Sequence, residues 1–398
     1  FSDKPSLAHY YRLASIAIPF YVIILALTAT FRGLQRVKEK ILFGNLGRNT
    51  FILFSTILVG FFAFSFRYVI LSVSISFILL SIIFFSYYLK KRKEVFEIKK
   101  SFKWDFKIGK KLLIFSLPLL LVSILYKVMT WADKMMIAYF LTDEFVGFYQ
   151  AAKPLSHFVS SPLTVILFIY SPLAASLYGQ KKIQENRVIY TVITKWLCFV
   201  TLPLALVFIF YPAYFLHIYG VEYVVAVIPF QILSLVYFIT NFMGPNGATL
   251  TAYGKTKFLM YATGTAAGLN VLLNAILIPQ YKIIGAAIAT GISLVSVNII
   301  RVEKLKRISE IHPIRKEIIK PIALSTILSF IVAYLSRYAF TINILLVGIN
   351  GVTFYGIFFF SMILTKSLSK DDFKLLLLVE KRLGLDLAKI KSILKRFI

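Results

Sequence analysis

The sequence predicts an all-α, polytopic membrane protein with about eleven spanning helices. Three observations predict it: the apolar content, the length of the apolar blocks, and the alternation of charge between them. Hydrophobic residues make up 59% of the 398 and the mean hydropathy is +0.80, far above a soluble domain. The blocks run for roughly 17 to 25 residues, enough to cross a hydrocarbon core. They are continuously apolar, which excludes a transmembrane β-barrel, whose strands alternate.

The expected helices lie near 14–31, 48–66, 69–89, 111–140, 145–178, 188–211, 223–243, 257–279, 284–300, 318–336 and 341–365. Two of them, 111–140 and 145–178, are long and hold Pro118, Pro154, Pro162 and Pro172. Kinks are expected there.

Charge fixes the orientation. The formal net charge of +28 could suggest a nucleic-acid binder, but the basic residues sit between apolar blocks, so no nucleic-acid partner is expected. Of the 45 Lys and Arg, 36 fall in one alternate set of loops, five in the other, and four (Lys127, Lys134, Lys153, Lys195) within spans. By the positive-inside rule the richer set is cytoplasmic. This places Phe1 outside and the C-terminus in the cytoplasm of a multi-pass cell-membrane protein. An external start beside a span is the expectation for a chain cut within its membrane domain, with an odd number of helices upstream.

Cys198 stands alone, and His9, His157, His217 and His312 lack ligand spacing, so neither a disulfide nor a metal site is expected. Two basic segments read as interfacial, held by anionic lipid. One is 90–111, where lysines interleave with Phe96, Phe102, Trp104 and Phe106. In the other, the C-terminal stretch, Leu383, Leu387, Ile390, Leu394 and Phe397 share helical spacing.

Two loops match. ATFRGLQRVK from Ala29 and ATLTAYGKTK from Ala248 share Ala-Thr first, a small residue fifth (Gly33, Ala252), a base eighth (Arg36, Lys255) and Lys tenth (Lys38, Lys257). Each follows a helix leaving on the same side, so the repeat is parallel, a plan common among transporters. The helix at 111–140 then opens the second half.

The chain resembles the polysaccharide transporter family, the Wzx-type flippases of lipid-linked oligosaccharides, within the multidrug/oligosaccharidyl-lipid/polysaccharide exporter superfamily. The residues that carry the resemblance are LTAYGKTK (250–257), GLNVLLNAILIPQYKIIGAAIATGIS (268–293), FSLPLLLVSILYKVMTWADKMMIAYFL (115–141) and VGFYQAAKPLSHFV (146–159). It implies a two-bundle, MATE-like transporter fold of about 14 helices, of which this chain would hold eleven. On that plan residues 1–89 are the last three helices of the N-terminal bundle, 90–111 a basic cytoplasmic linker and 112–303 the C-terminal six-helix bundle. Two further helices fill 304–366, and 367–398 form a basic amphipathic tail. It also implies a central cavity opening alternately to each side, and no covalent chemistry.

Charges at membrane depth are costly and are functional candidates by default. Lys127 and Lys134 are seven apart and share a helix face, with Asp133 about 100° away around it. Lys153 and His157 are four apart, with Tyr149 and Ser160 near. As a cavity wall, Lys127, Lys134, Lys153, His157, Tyr149 and Asp133 would offset the desolvation of a phosphate headgroup and hold a glycan. The structural alternatives are that Lys134 pairs with Asp133 or a neighbouring helix, that Lys153 and Lys195 snorkel, and that His157 only packs. Asn270 and Asn274, after Gly264-x-x-x-Gly268, read as helix-packing residues. So does the small-residue run Gly285–Gly291.

The resulting expectation is a flippase for a polyprenyl-phosphate-linked oligosaccharide, without a cofactor and with a proton or Na+ as the conceivable coupling ion. Glycan-polymerising or glycosyltransferase partners would fit it. One rival is a cation-coupled multidrug extruder, disfavoured because Asp133 is the only carboxylate within the spans. The other is a membrane glycosyltransferase or acyltransferase, disfavoured because Asp143, Glu144, His217 and Glu222 form no catalytic spacing beyond one adjacent couple.

Overall fold

A computed structural model describes residues 12–33, 36, 39–62, 66–96, 105–313, 316–339, 343–367, 369 and 372. These residues are helical almost throughout. Ten stretches are long and apolar enough to cross a membrane. One of them, Thr256–Ser309, is two helices joined at Lys282, whose backbone (φ 52, ψ −135) is not helical. With that break the spans among the described residues number eleven, as the apolar blocks imply. The chain divides into two compact units, Phe1–Asp105 and Phe106–Ile398.

The smaller unit contains α1 (Ala17–Gly33), α2 (Arg48–Phe61) and α3 (Phe66–Phe96). Its core is aromatic: Phe84 stacks on Phe43 at 4.5 Å and on Phe31 at 5.5 Å. Residues expected as loop between α1 and α2 are partly helical, because Lys40–Gly47 forms a π-helix leading into α2. Apolar Phe43 explains this, since it is packed into the core rather than left in a loop.

The larger unit contains α4 (Phe106–Phe140), α5 (Asp143–His157), α6 (Ser161–Gly179), α7 (Ile183–Phe210), α8 (Pro212–Leu216), α9 (Val227–Phe242), α10 (Asn246–Ala252), α11 (Thr256–Ser309), α12 (Lys316–Ala339) and α13 (Ile344–Leu364). The helix expected over 145–178 breaks at a 3-10 turn, Phe158–Ser160, just ahead of Pro162. Pro118, by contrast, lies inside the uninterrupted α4. The basic stretch 90–111 is helical at both ends, because Lys and Arg are good helix formers and prolong α3 and begin α4. Its middle, and the amphipathic tail from Leu383, lie outside the described residues.

Apolar packing distinguishes helices poorly where the solvent is itself apolar, so polar contacts and small residues carry much of the specificity. Tyr170 of α6 joins Asn186 of α7 at 3.2 Å and Thr249 of α10 at 2.8 Å. Asn350 of α13 donates to Tyr211 at 2.7 Å and to Ser336 of α12 at 3.0 Å, tying both last helices to the end of α7. The run at Gly285 packs tightly, as expected: a Cβ there would stand 2.2 Å from the Leu277 carbonyl oxygen, and one on Gly291 2.7 Å from Val236.

The two matching loops end their helices alike. The fifth position closes a helix in each copy (Gly33, Ala252). The eighth donates its backbone N–H to the third carbonyl at 2.9 Å, Arg36 to Phe31 and Lys255 to Leu250. This six-to-one bond is a common helix terminator. It recurs from Lys182 to Leu177, so the shared register rather than the bond itself supports the repeat.

Gly244 and Gly254 both have φ +71 but differ in surroundings. A Cβ on Gly244 would lie 2.4 Å from Thr194 Oγ1, whereas one on Gly254 meets nothing within 4 Å. Gly254→Ala is expected to cost about 1–2 kcal/mol for the left-handed backbone, and Gly244→Ala about 1–3 kcal/mol more for the clash. Thermal unfolding of the two purified variants checks this; equal losses would contradict the described packing.

Candidate functional site

The polar centre of the larger unit is Asp133, at the level where α4, α5 and both halves of α11 meet. It is 1% exposed. Lys153 of α5 and Thr290 of the second half of α11 donate to Oδ2, the latter at 2.8 Å, and Tyr149 donates there at 3.3 Å. Asn274 and Asn270, from the first half of α11, donate to Oδ1 at 2.8 and 3.3 Å. The break at Lys282 lets one helix pair supply donors from two directions.

The chemistry follows from the crowding. Five donors surround one carboxylate, and the Lys153 ammonium pairs with it. Lys153 also lies 5.5 Å over the Tyr149 ring, which carries its stem inward. Two sequence alternatives are therefore corrected. Lys153 does not snorkel but turns into the bundle, and Asp133 pairs with Lys153 rather than Lys134. The physical reason is the 100° step between adjacent residues, which buries one and turns the other outward. Asn270 and Asn274 do bridge helices, yet through this carboxylate rather than through amide contacts alone.

The remaining candidates lie elsewhere. Lys127 is exposed, on an open face of α4 with Ser123, Ile124, Val128, Trp131 and Met135, bordering a cleft of about 530 Å³. Lys134 is half-buried and sits 5.3 Å from the Trp131 ring centre. His157 is exposed, its ring edge-on to Tyr237 at 5.0 Å. It lines a separate pocket with Ser160, Tyr126, Asn241, Asn298 and Arg301. Thus Asp133, Lys153 and Tyr149 come together, whereas Lys127, Lys134 and His157 do not join them.

Two basic residues differ from their sequence reading. Lys195 is 8% exposed and pairs with Asp372, which also accepts from Trp196 at 3.0 Å. It does not snorkel, because a carboxylate just beyond α13 reaches back to it. Arg301, read as a loop residue, is 6% exposed within α11. The available signal was its spacing: Thr290, Ser293, Val297, Arg301 and Leu305 continue one buried helix face. Among the described residues no group of His, Cys, Asp and Glu could hold a metal.

Comparison with known proteins now bears on this architecture. The family described as polysaccharide biosynthesis protein matches residues 1–177. That stretch is similar to the family. The MatE family matches residues 118–276, across α4 to the first half of α11, so this stretch is MATE-like. A solved structure titled lipid II flippase MurJ, inward closed conformation, superposes with a TM-score of 0.56 at 19% identity, covering 90% of this chain and 84% of that one. At that identity the likeness shows a shared fold. No curated protein sequence matches.

Breaking the central pair should be costly. Lys153→Met leaves Asp133 buried and uncompensated, and is expected to destabilise by about 3–5 kcal/mol. Adding Asp133→Asn removes the stranded charge and should recover most of that loss. Unfolding temperatures of the single and double variants test this; a double variant no more stable than Lys153→Met would refute the pairing.

Proposed function

We propose that this polysaccharide biosynthesis transporter moves a lipid-linked oligosaccharide, carried on a polyprenyl phosphate, from the cytoplasmic to the outer leaflet by alternating access. The observation that carries the reading is the division of the charges in α4 and α5 into paired and unpaired ones. Lys153 and Asp133 neutralise each other, so they serve as a clamp that fixes α4 against α5 and α11. Lys127 has no ion-pair partner among the described residues and faces open space on the same helix. A lone ammonium at membrane depth is suited to a phosphate, and the hydroxyl and aromatic groups beside it (Ser123, Trp131) suit a glycan. Lys134 on the Trp131 ring extends the cationic face.

Substrate contact is thus assigned to Lys127, Lys134 and His157, and a positioning role to Asp133, Lys153 and Tyr149. The family and fold support transport without covalent chemistry. The MatE match also favours a cation-coupled multidrug extruder as a second reading. Against it, the carboxylate such coupling would use is already occupied by a lysine. In the orientation given by the basic loops, the C-terminus is cytoplasmic.

Lys127→Ala should abolish glycolipid flipping while leaving the unfolding temperature unchanged, because no described residue pairs with that ammonium. A proteoliposome flipping assay beside a thermal melt decides it. Undiminished flux would remove Lys127 from the substrate path.

A further inference from the structure

Three basic side chains of the larger unit lose most of their exposure: Lys153, Lys195 and Arg301. Two bring their own counter-ion, Asp133 and Asp372. Arg301 does not. Its Nη1 donates to the Tyr126 hydroxyl at 2.9 Å and its Nη2 to Thr263 Oγ1 at 2.7 Å, both neutral acceptors. The guanidinium lies 5.7 Å over the Tyr126 ring. Its Nε is buried without a partner, and no carboxylate among the described residues lies within ion-pair distance.

A buried guanidinium held only by hydroxyls retains its full charge and spare donors, a combination that is unfavourable until an anion arrives. The pocket of about 280 Å³ at its side is of mixed polarity: Ser160, Thr164, Asn246, Asn298 and His157 line it beside Leu163 and Leu167. Asn298, which shares the helix of Arg301, accepts at Oδ1 from the Asn246 side-chain amide at 2.8 Å, and Asn241 has a buried Oδ1 without a partner. No acidic side chain lines this wall. Tyr126 and Thr263 come from α4 and the first half of α11, so three helix segments hold the guanidinium at the pocket edge.

We infer that Arg301, supported by Tyr126 and Thr263, forms an anion site for a phosphate group within the larger unit, distinct from the Lys127 face. A planar fork with unused N–H groups matches phosphate oxygens better than a lysine does. The phosphate chemistry stands on this pocket alone. Only its assignment to a polyprenyl carrier rests on the flippase reading.

The test is equilibrium binding to the full chain in lipid nanodiscs, with polyprenyl monophosphate, the neutral polyprenol of equal length, phosphatidylglycerol and inorganic phosphate as probes. The wild type should prefer polyprenyl phosphate to polyprenol by about tenfold or more, and Arg301→Gln should erase that preference. Asn298→Asp, one helical turn from Arg301, supplies an internal counter-ion. It should raise the unfolding temperature and abolish phosphate binding, which keeps the inference testable even if Arg301→Gln fails to fold. Equal competition by phosphatidylglycerol would name a bilayer lipid as the source, and competition by inorganic phosphate a free anion, each with the site intact. Phosphate preference unaltered in a folded Arg301→Gln, or in Asn298→Asp, overturns the site. Flipping by a protein that lacks Arg301-dependent binding defeats the site alone, whereas such binding without flipping defeats the flippase reading alone.

Discussion

In the larger unit, the helices are arranged around the Asp133 carboxylate. A charge at 1% exposure is tolerable only if it is paired and hydrogen-bonded. Each of its donors comes from a helix that must therefore approach: Lys153 and Tyr149 from α5, Asn270 and Asn274 from the first half of α11, Thr290 from the second. The backbone break at Lys282 and the small residues around Gly285 make that approach geometrically possible. In an apolar solvent this polar knot specifies helix positions more sharply than the surrounding leucines can.

The same logic orders the other contacts. Lys195 with Asp372 anchors the residues that follow α13, and Asn350 with Tyr211 and Ser336 anchors α12 and α13. Where a buried cation has its own carboxylate, it is part of the scaffold. Where it has none among the described residues, as at Arg301, or stands exposed on an apolar helix, as at Lys127, it is proposed to meet a ligand. That distinction separates positioning from recognition in the proposed function.

Block length and charge alternation were enough to read the spans, because a membrane imposes a minimum length and a side on every segment. They could not show that Lys40–Gly47 coils into a π-helix, since a short apolar stretch in a basic loop has no period of its own. Asp133, Lys153 and Tyr149 were visible as unusual residues in apolar helices. Their partnership was not, since it depends on how α5 lies on α4, and the adjacent Lys134 was the nearer base in sequence. Arg301 was hidden by its place among the basic residues that end α11, although its spacing from Val297 and Leu305 marked the buried face.

Carriage of an anionic lipid-linked precursor is the proposed function, supported by the family match, the fold and the cations unpaired among the described residues. The most direct measurement is transport by the full chain in proteoliposomes, comparing a fluorescent polyprenyl-phosphate-linked oligosaccharide with a cationic dye. The account predicts that the glycolipid reaches the opposite leaflet chemically unchanged and that the dye gradient is unaffected. Dye extrusion with no movement of the glycolipid would contradict it.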